Sequence, residues 1–283
     1  MQNIYLTRGF LDTTWLSIHN VSTVPQSKNM PLVTVTSDLG NCDYYAAALK
    51  GALLNLCKGI AVMDIANQVT SFDIRHAAYV VRHAYPYFMN GTIHVIYMNP
   101  AEADGGMIAV QHQNQYFLTF NNGITSLLFG ELPASTFLIN EEISKSSNLF
   151  FAEGFARVIN HINSGKPLNE IGTTSPAIRQ LRLMQPTVTG GFIKGSIQYF
   201  DKYGNAISNI SSAMIAQAIG EKRALVSIAG QDLWIGKNYA DGTPGELISF
   251  INAEGNLEVA INKGSALKLL GLRPDSMITV SAM

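Results

Sequence analysis

Charged residues are scarce in this chain of 283 residues, of which only 14% are Asp, Glu, Lys or Arg. The 19 basic and 20 acidic residues leave a formal net charge of −1. Without a basic excess, no electrostatic field attracts nucleic acid or an anionic membrane, so neither is predicted as a partner. So few charges leave a monomer with little polar surface. We therefore expect part of the subunit surface to be buried between subunits.

Cysteine is equally scarce, since Cys42 and Cys57 are the only two in the sequence. Two cysteines exclude a disulfide framework and a zinc site built on several thiolates. Of the six scattered histidines, His76 and His83 share one predicted helix face, but no acid or cysteine stands beside them at ligand spacing. We therefore expect no metal, and reduced thiols are typical of a cytoplasmic protein.

Long apolar runs are missing too, and no segment is long enough to cross a bilayer. The first 29 residues lack the basic start and apolar core of a secretion signal. Their mixed polarity predicts a loosely attached N-terminal extension, residues 1–30. Hydrophobic residues, by contrast, make up 47% of the chain, which at this length is enough for the cores of two domains.

The first predicted domain, residues 31–175, alternates strands with helices. Apolar, β-branched segments predict the strands, and alanine and leucine at helical spacing predict the helices. Residues 70–73 resemble a capping box that starts the second helix. The predicted order is strand 32–37, helix 44–57, strand 60–65, a helix ending near 88, and strand 92–98. This order predicts an α/β domain with a mostly parallel sheet and flanking helices.

After the third strand, the first domain continues with a strand pair, and the pattern changes only beyond a linker. A strand pair is predicted at 107–111 and 116–120, joined at Gln113 and Asn114. Residues 176–187 are predicted to be a linker. From 188 to 283 the apolar segments are short, alternating and separated by turn residues, which predicts an antiparallel β-barrel domain.

Asp38 stands where the first predicted strand ends, and ligands of open α/β sheets bind beyond the carboxyl ends of the strands. A carboxylate there can accept hydrogen bonds from two vicinal hydroxyls, as on a ribose. The alternative is that Asp38 or Asp43 caps the following helix. The intervening loop does not have the GxGxxG pattern, which argues against a dinucleotide.

Two further polar segments are candidates for a site. The loop after the third strand, 99–106, carries Glu102 and Asp104 on the ligand side of the sheet, although a solvated turn is the alternative. Residues 200–205 combine an acid, a ring, a glycine and an amide at a strand end. That segment suits either a flat base held by stacking and hydrogen bonds, or a tight turn.

Taken together, these segments resemble the S-adenosylmethionine hydroxide adenosyltransferases, whose superfamily includes fluorinases and chlorinases that act on S-adenosylmethionine. The resemblance covers about residues 32 to 283 and rests on the order and spacing of several motifs. They are Ser37–Gly40 with Asp43 and Lys50–Gly51, Asp73–Arg75 with Ala77–Ala78, Tyr87–Phe88, Gly91–Val95, Asn121–Gly123, Asp201–Ile210, Gly245–Leu247, Asn252, Gly255, Leu257–Asn262 and Gly264–Ala266.

The resemblance implies an N-terminal α/β domain, a C-terminal β-barrel, and a homotrimer that binds an adenosyl compound between neighbouring subunits. It implies a role for each matching position. Asp38 would bind the ribose, Phe72 would line the sugar pocket, and Asp201 would hold the methionine amino group. The adenine would lie against Asn205 and the rings of Tyr203 and Tyr239. The predicted substrate-binding set is completed by Asn99, Ser147 and Asn262.

The chain differs from the hydrolases of that family at the three positions whose residues, by the resemblance, activate the attacking water. Asn99 stands at an aspartate position, Gly106 is nearest to an arginine position, and residues 145–148 lack the histidine. Ala253 replaces a serine that helps to bind the methionine carboxylate.

Two hypotheses follow for the function, neither of which needs a cofactor. In one, the chain hydrolyses S-adenosylmethionine to adenosine and methionine, with Glu102 or Asp104 as the replacement base. In the other, it is a binding protein that has lost catalysis. Halogenation is disfavoured because an ionised Glu102 would repel a halide.

Overall fold

The computed structural model describes residues 30–100, 106–145, 151–174, 177–220 and 222–283. All elements below belong to one compact unit, Pro31–Met283. Apart from Met30, the predicted N-terminal extension lies outside the described residues. Within the described ranges, no helix is both long and apolar enough to cross a membrane.

The first half of the unit is a seven-stranded sheet with helices on both faces. Its strands are β1 (Leu32–Ser37), β2 (Ala61–Ala66), β3 (Ile93–Tyr97), β4 (Met107–His112), β5 (Gln115–Phe120), β6 (Thr136–Ile139) and β7 (Gly172–Thr173). Its helices are α1 (Tyr45–Leu56), α2 (Ile74–Ala84), α3 (Ile124–Phe129), α4 (Glu141–Ser144) and α5 (Ala152–Asn163). The predicted α/β domain is confirmed.

The strand order β2-β1-β3-β5-β4-β6-β7 decides which loops meet. Strands β2, β1, β3 and β5 pair in parallel, whereas β4, β6 and β7 add antiparallel pairings. The ends of β1, β3, β5 and β6 therefore lie at one edge of the sheet, together with the start of β4. We call this the carboxyl edge, and it is where ligands bind in sheets of this kind.

The two faces of the sheet hold separate apolar cores. Leu49 of α1 and Phe155 of α5 pack with Val35 of β1 on one face. Val81 of α2 and Ile124 of α3 pack on the other. Because successive side chains of a strand point to opposite faces, a strand covered on both sides is apolar throughout, and this is why β3 reads as a continuous buried segment.

Helix α2 begins later than the capping box predicted. Its N-cap is Asp73, whose carboxylate accepts hydrogen bonds from the backbone nitrogens of Arg75 and His76. Thr70 instead contacts the His76 ring, with its hydroxyl 2.9 Å from Nδ1. The predicted cap at Thr70 is therefore wrong, because the nearer acid captures the free amides of the first turn. This shift leaves Phe72 in the loop, at a positive φ of 64°.

The second half of the unit is a closed barrel. Its strands are β8 (Thr187–Thr189), β9 (Phe192–Phe200), β10 (Ala206–Ser211), β11 (Ala224–Ile228), β12 (Gln231–Gly236), β13 (Leu247–Ile251), β14 (Asn256–Ile261) and β15 (Met277–Ala282), with helices α6 (Ser212–Ile219) and α7 (Ala266–Leu269). The ring runs β10-β14-β13-β12-β11-β15-β9 and closes by pairing of β9 with β10. The predicted barrel is confirmed, and its strand pairs are antiparallel except β12 with β13.

Helix α2 connects the two halves within the chain. The Arg75 guanidinium lies 2.8 Å from the Asp275 carboxylate beside β15. The Tyr79 ring stacks on Tyr199 of β9, with centroids 4.1 Å apart. Burial raises the pKa of both tyrosine hydroxyls, so the stacked rings stay neutral at physiological pH.

A buried histidine joins β1, β3 and β5 near the amino ends of β3 and β5. His94 is fully buried, with Nδ1 2.7 Å from the Thr34 hydroxyl and Nε2 2.7 Å from Gln115 Oε1. The amide nitrogen of Gln115 donates to the carbonyl of Phe88, so Oε1 is left to accept from a His94 N–H. Burial lowers the pKa of His94 to about 4, and the ring is neutral in the fold.

This neutral ring predicts a loss of stability in acid. Below a pH of about 6.5 the unfolded chain takes up a proton at His94, whereas the folded chain does so only near pH 4. Stability contributed by the neutral ring is therefore complete above pH 6.5 and falls by about 3 kcal/mol as the pH drops to 4. Denaturant unfolding across this range should show a shallower pH dependence for His94→Gln than for the wild type. His161→Gln, on α5, should keep the wild-type slope, and equal slopes for all three proteins would contradict this account.

Candidate functional site

The loop that carries Asp38 is tied to its neighbour at the carboxyl edge. The Ser37 hydroxyl donates to Asn67 Oδ1 at 2.8 Å, and the backbone nitrogen of Gly40 donates to the Asn67 carbonyl at 2.7 Å. Asn67 follows β2 and is buried. These bonds hold the loop after β1 against the loop after β2, so the backbone around Asp38 has one defined position.

The Asp38 carboxylate does not cap helix α1. The N-cap of α1 is Tyr44, and no side chain accepts a hydrogen bond from the first turn. Asp38 Oδ2 instead accepts from the backbone nitrogen of Phe72 at 2.8 Å. Among the described residues, Oδ1 has no hydrogen-bonding partner. The alternative that Asp38 or Asp43 is a helix cap is thus wrong, because the cap of α1 is Tyr44 and the half-buried Asp38 binds the Phe72 amide.

Phe72, which binds Asp38 through its backbone, presents its ring to solvent. The side chain is 72% exposed, an unusual state for phenylalanine in a monomer. The positive φ at Phe72 turns its amide toward the carboxylate while the ring points outward. Asp38 and Phe72 therefore form the first group of predicted site residues that the fold brings together.

The loop after β3 begins beside this group. Burial raises the pKa of the Tyr97 hydroxyl, and the nearby charge of Asp38 raises it further. Asn99 is buried with a positive φ of 43°, a conformation that asparagine tolerates better than most residues. The Asn122 amide donates to the Met98 carbonyl at 2.8 Å and so holds the start of this loop. Glu102 and Asp104 lie outside the described residues, as does Ser147.

A second group of predicted residues lies between β9 and β10 of the barrel. Asp201 Oδ1 accepts from the backbone nitrogens of Tyr203 and Asn205, each at 2.9 Å, and Oδ2 accepts from the Asn205 amide at 2.8 Å. Gly204 completes the turn with a φ of 83°, and a Cβ there would lie 2.1 Å from the Ser265 hydroxyl. The Tyr203 side chain is exposed.

The same group continues to a buried acid. The Asn205 amide also donates to the Tyr239 hydroxyl at 3.1 Å, and that hydroxyl donates to Glu258 Oε1. Asn252 donates to the other oxygen of Glu258 at 3.2 Å. Glu258 is only 5% exposed, and burial raises its pKa. Burial likewise raises the pKa of Tyr239, and the hydrogen bond to Glu258 raises it further.

Sequence reasoning did not single out Glu258 as a functional residue. The available signal was an acid in the middle of the apolar strand β14, where a charge needs partners. Asn262, which was singled out, has a local partner, because its amide donates to the Gly242 carbonyl at 2.7 Å. It thus secures the loop that follows Tyr239.

The two groups are separate within one chain. Among the residues that the structure describes, no hydrogen bond, ion pair or ring contact links Asp38 or Phe72 to the group of Asp201, Asn205 and Tyr239. Nor does the described part of the chain hold a cluster of three His, Cys, Asp or Glu side chains suited to a metal ion. The chemistry available is hydrogen bonding by carboxylates and amides, and stacking by exposed rings.

Known proteins share both halves of this architecture. Over 84% of this chain and 94% of its own length, the (R)-S-adenosyl-L-methionine hydrolase of Thermus thermophilus is 26% identical. A fluorinase of an Actinoplanes species is 24% identical over 89% of this chain and 97% of its own. A crystal structure of an uncharacterized conserved protein from Thermotoga maritima, 23% identical, shares the fold with a TM-score of 0.74 over 88% of this chain and 99% of that chain.

The family assignment covers most of the two domains. Residues 33–172 match the N-terminal domain of the SAM hydroxide adenosyltransferases, and residues 195–279 match their C-terminal domain. The first match spans the seven-stranded sheet, and the second spans most of the barrel. The chain therefore belongs to the SAM hydroxide adenosyltransferase family.

Proposed function

We propose that this protein binds S-adenosylmethionine and transfers its adenosyl group to water, which releases adenosine and methionine. The observation that carries the proposal is the Asp38 carboxylate at the carboxyl edge, fixed through Oδ2 by the Phe72 amide and open at Oδ1. Family membership and relatives named as S-adenosylmethionine hydrolases support the same reaction.

In this proposal each half of the ligand has its own group of residues. Asp38 accepts hydrogen bonds from the ribose hydroxyls, and the exposed Phe72 ring covers the sugar. Asn205 and the rings of Tyr203 and Tyr239 bind the adenine. Asp201 accepts from the amino group of the methionine part, which a carboxylate is suited to do because the hydrogen bond is charge-assisted.

The reaction is a displacement at the ribose 5′ carbon. The sulfonium sulfur departs from the 5′ carbon as the neutral thioether of methionine, so the step needs neither a general acid nor a cofactor. The protein orients the attacking water. Asn99 and Gly106 stand where the resemblance implies an acid and a cation, so turnover is expected to be slow. Glu102 and Asp104 stay predicted replacement bases, and their charge disfavours a halide as nucleophile.

The assembly we propose is a homotrimer in the cytoplasm. The ribose group lies in the α/β domain and the adenine group in the barrel, and a site between neighbouring subunits would join them. A closed ring of head-to-tail contacts provides three such sites. The exposed rings of Phe72 and Tyr203 support the proposal, because both would be buried against a ligand or a neighbour.

The test is to incubate the protein with S-adenosylmethionine in water enriched in oxygen-18. Attack by water at the 5′ carbon should produce adenosine that carries one heavy oxygen and methionine that carries none, as read by mass spectrometry. Adenosine binding without any adenosine release would favour the alternative, a binding protein. The absence of both would contradict the proposed function.

A further inference from the structure

Two adjoining cavities open at the carboxyl edge, with volumes of about 420 and 300 Å³. Gly106, Glu141 and Ser144 line both of them. The smaller cavity is also bordered by Pro100, three residues after the end of β3, and by Phe120, the last residue of β5. The space therefore lies over the ends of β3, the neighbour of β1, and of β5, the next strand in the sheet.

A short series of contacts relates the smaller cavity to Asp38. The charge of Asp38 acts on the Tyr97 hydroxyl, as the raised pKa of Tyr97 reflects. The Tyr97 ring meets the Phe120 ring edge to face, with centroids 5.5 Å apart. Phe120 lines the cavity. The smaller cavity therefore lies on the side of Asp38 where β3 and β5 end.

Glu141 is brought to this cavity by the tertiary fold. It begins α4 immediately after Asn140, which follows β6, and β6 runs in the same direction as β1. In the sequence Glu141 lies about 100 residues from Asp38, but both follow strands that end at the same edge. Its neighbour Glu142 does not line either cavity.

Contacts with α5 set the position of α4. The Arg157 guanidinium donates to the Ile143 carbonyl at 3.1 Å and also to the Lys145 carbonyl. Gly154 lets α5 approach closely, because a Cβ at that residue would lie 2.6 Å from the Ser144 carbonyl oxygen. The short helix is therefore held in one place, with Glu141 among the residues that line both cavities.

From this placement we infer that Glu141, in place of Glu102 or Asp104, is the general base for the attacking water, and the inference rests on the proposed function. Water in the cavity gives a proton to the Glu141 carboxylate as its oxygen bonds to the ribose 5′ carbon. The bond from that carbon to sulfur breaks, and its electron pair stays on the sulfur of methionine. The proton then passes from Glu141 to solvent, so the products are adenosine, methionine and one proton.

The experiment compares the full-length wild type with Glu141→Gln, Glu141→Asp and the matched control Glu142→Gln. Adenosine release from S-adenosylmethionine should fall by about 10²- to 10⁴-fold in Glu141→Gln, recover in part in Glu141→Asp, and stay at the wild-type level in Glu142→Gln. The Kd for adenosine, measured by calorimetry, should be the same in all four proteins, because the base contacts water and not the nucleoside.

Two results would overturn the inference. One is an active wild type whose Glu141→Gln variant keeps its rate, above all if Glu102→Gln or Asp104→Asn loses it. The other is a Glu142→Gln variant as impaired as Glu141→Gln, which would indicate a structural effect of α4. A wild type that binds adenosine but releases none from S-adenosylmethionine would instead overturn the proposed function, and the base with it.

Discussion

Replacing Asp38 by alanine is expected to weaken adenosine binding by about 30- to 1000-fold. Two ribose hydroxyls would lose one charged acceptor, and we expect this loss as a whole to cost about 2–4 kcal/mol, the order of a net hydrogen bond to a charged group. The Phe72 amide would lose its partner as well, which would loosen the loop that carries the exposed ring. Isothermal calorimetry with adenosine measures the change directly.

The matched control is Asp43→Ala, which removes an acid from the same loop but leaves the carboxyl edge intact. It should bind adenosine as the wild type does. The affinity of Asp38→Asn for adenosine should lie between those of Asp38→Ala and Asp43→Ala, because its amide oxygen still accepts a hydrogen bond without the charge. Wild-type protein that binds no adenosine at millimolar concentration, or equal losses in Asp38→Ala and Asp43→Ala, would refute the role of Asp38.

Mixing two variants that bind adenosine weakly is expected to restore tight binding. Asp38→Ala spoils the ribose group of a chain and leaves its barrel intact, whereas Asn205→Ala does the reverse. If neighbouring subunits share each site, chains refolded together in equal amounts should form about a quarter of their boundaries from two intact groups. Each variant refolded alone should bind adenosine only weakly, so sites with the wild-type Kd can come only from mixed assemblies.

Calorimetry on the refolded mixture measures the fraction of restored sites, and light scattering measures the mass. We expect about three times the 30.8 kDa of the chain. Two mixed populations that were folded separately and never unfolded serve as the control, because stable trimers should not exchange chains. A monomeric mass, or no recovery after refolding, would place the whole site within one chain.

Local patterns in the sequence predicted many of the elements closely. The predicted strand at 32–37 matches β1, because a buried parallel strand is β-branched and apolar from end to end. The turn predicted at Gln113 and Asn114 joins β4 to β5, and both residues have the positive φ that such hairpins need. The start of α2 was misplaced by three residues, because two candidate caps lay close together and only packing chooses between them.

Individual site residues were less accessible to prediction than the elements that carry them. Asp38 could be singled out because it follows a recognisable strand. Whether Asp38 caps a helix depends on its contact with the Phe72 amide. That contact joins residues 34 positions apart in the sequence, so no local pattern reveals it. The buried Glu258 carboxylate accepts hydrogen bonds from Tyr239 and Asn252. These two partners come from separate turns of the barrel, so the sequence around Glu258 does not indicate them.

The sequence by itself determined the two domain types, the strand ends that carry polar residues, and the family. Each of these depends on the periodicity of apolar residues or on the order of motifs, and both are visible in the sequence itself. Only the tertiary structure decided that β6, which three strands separate from β1, ends at the same edge of the sheet, so that Glu141 and Asp38 share that edge. The physical reason is that sheet order and burial bring together side chains about 100 residues apart, and no local pattern records which distant partner a polar group will find.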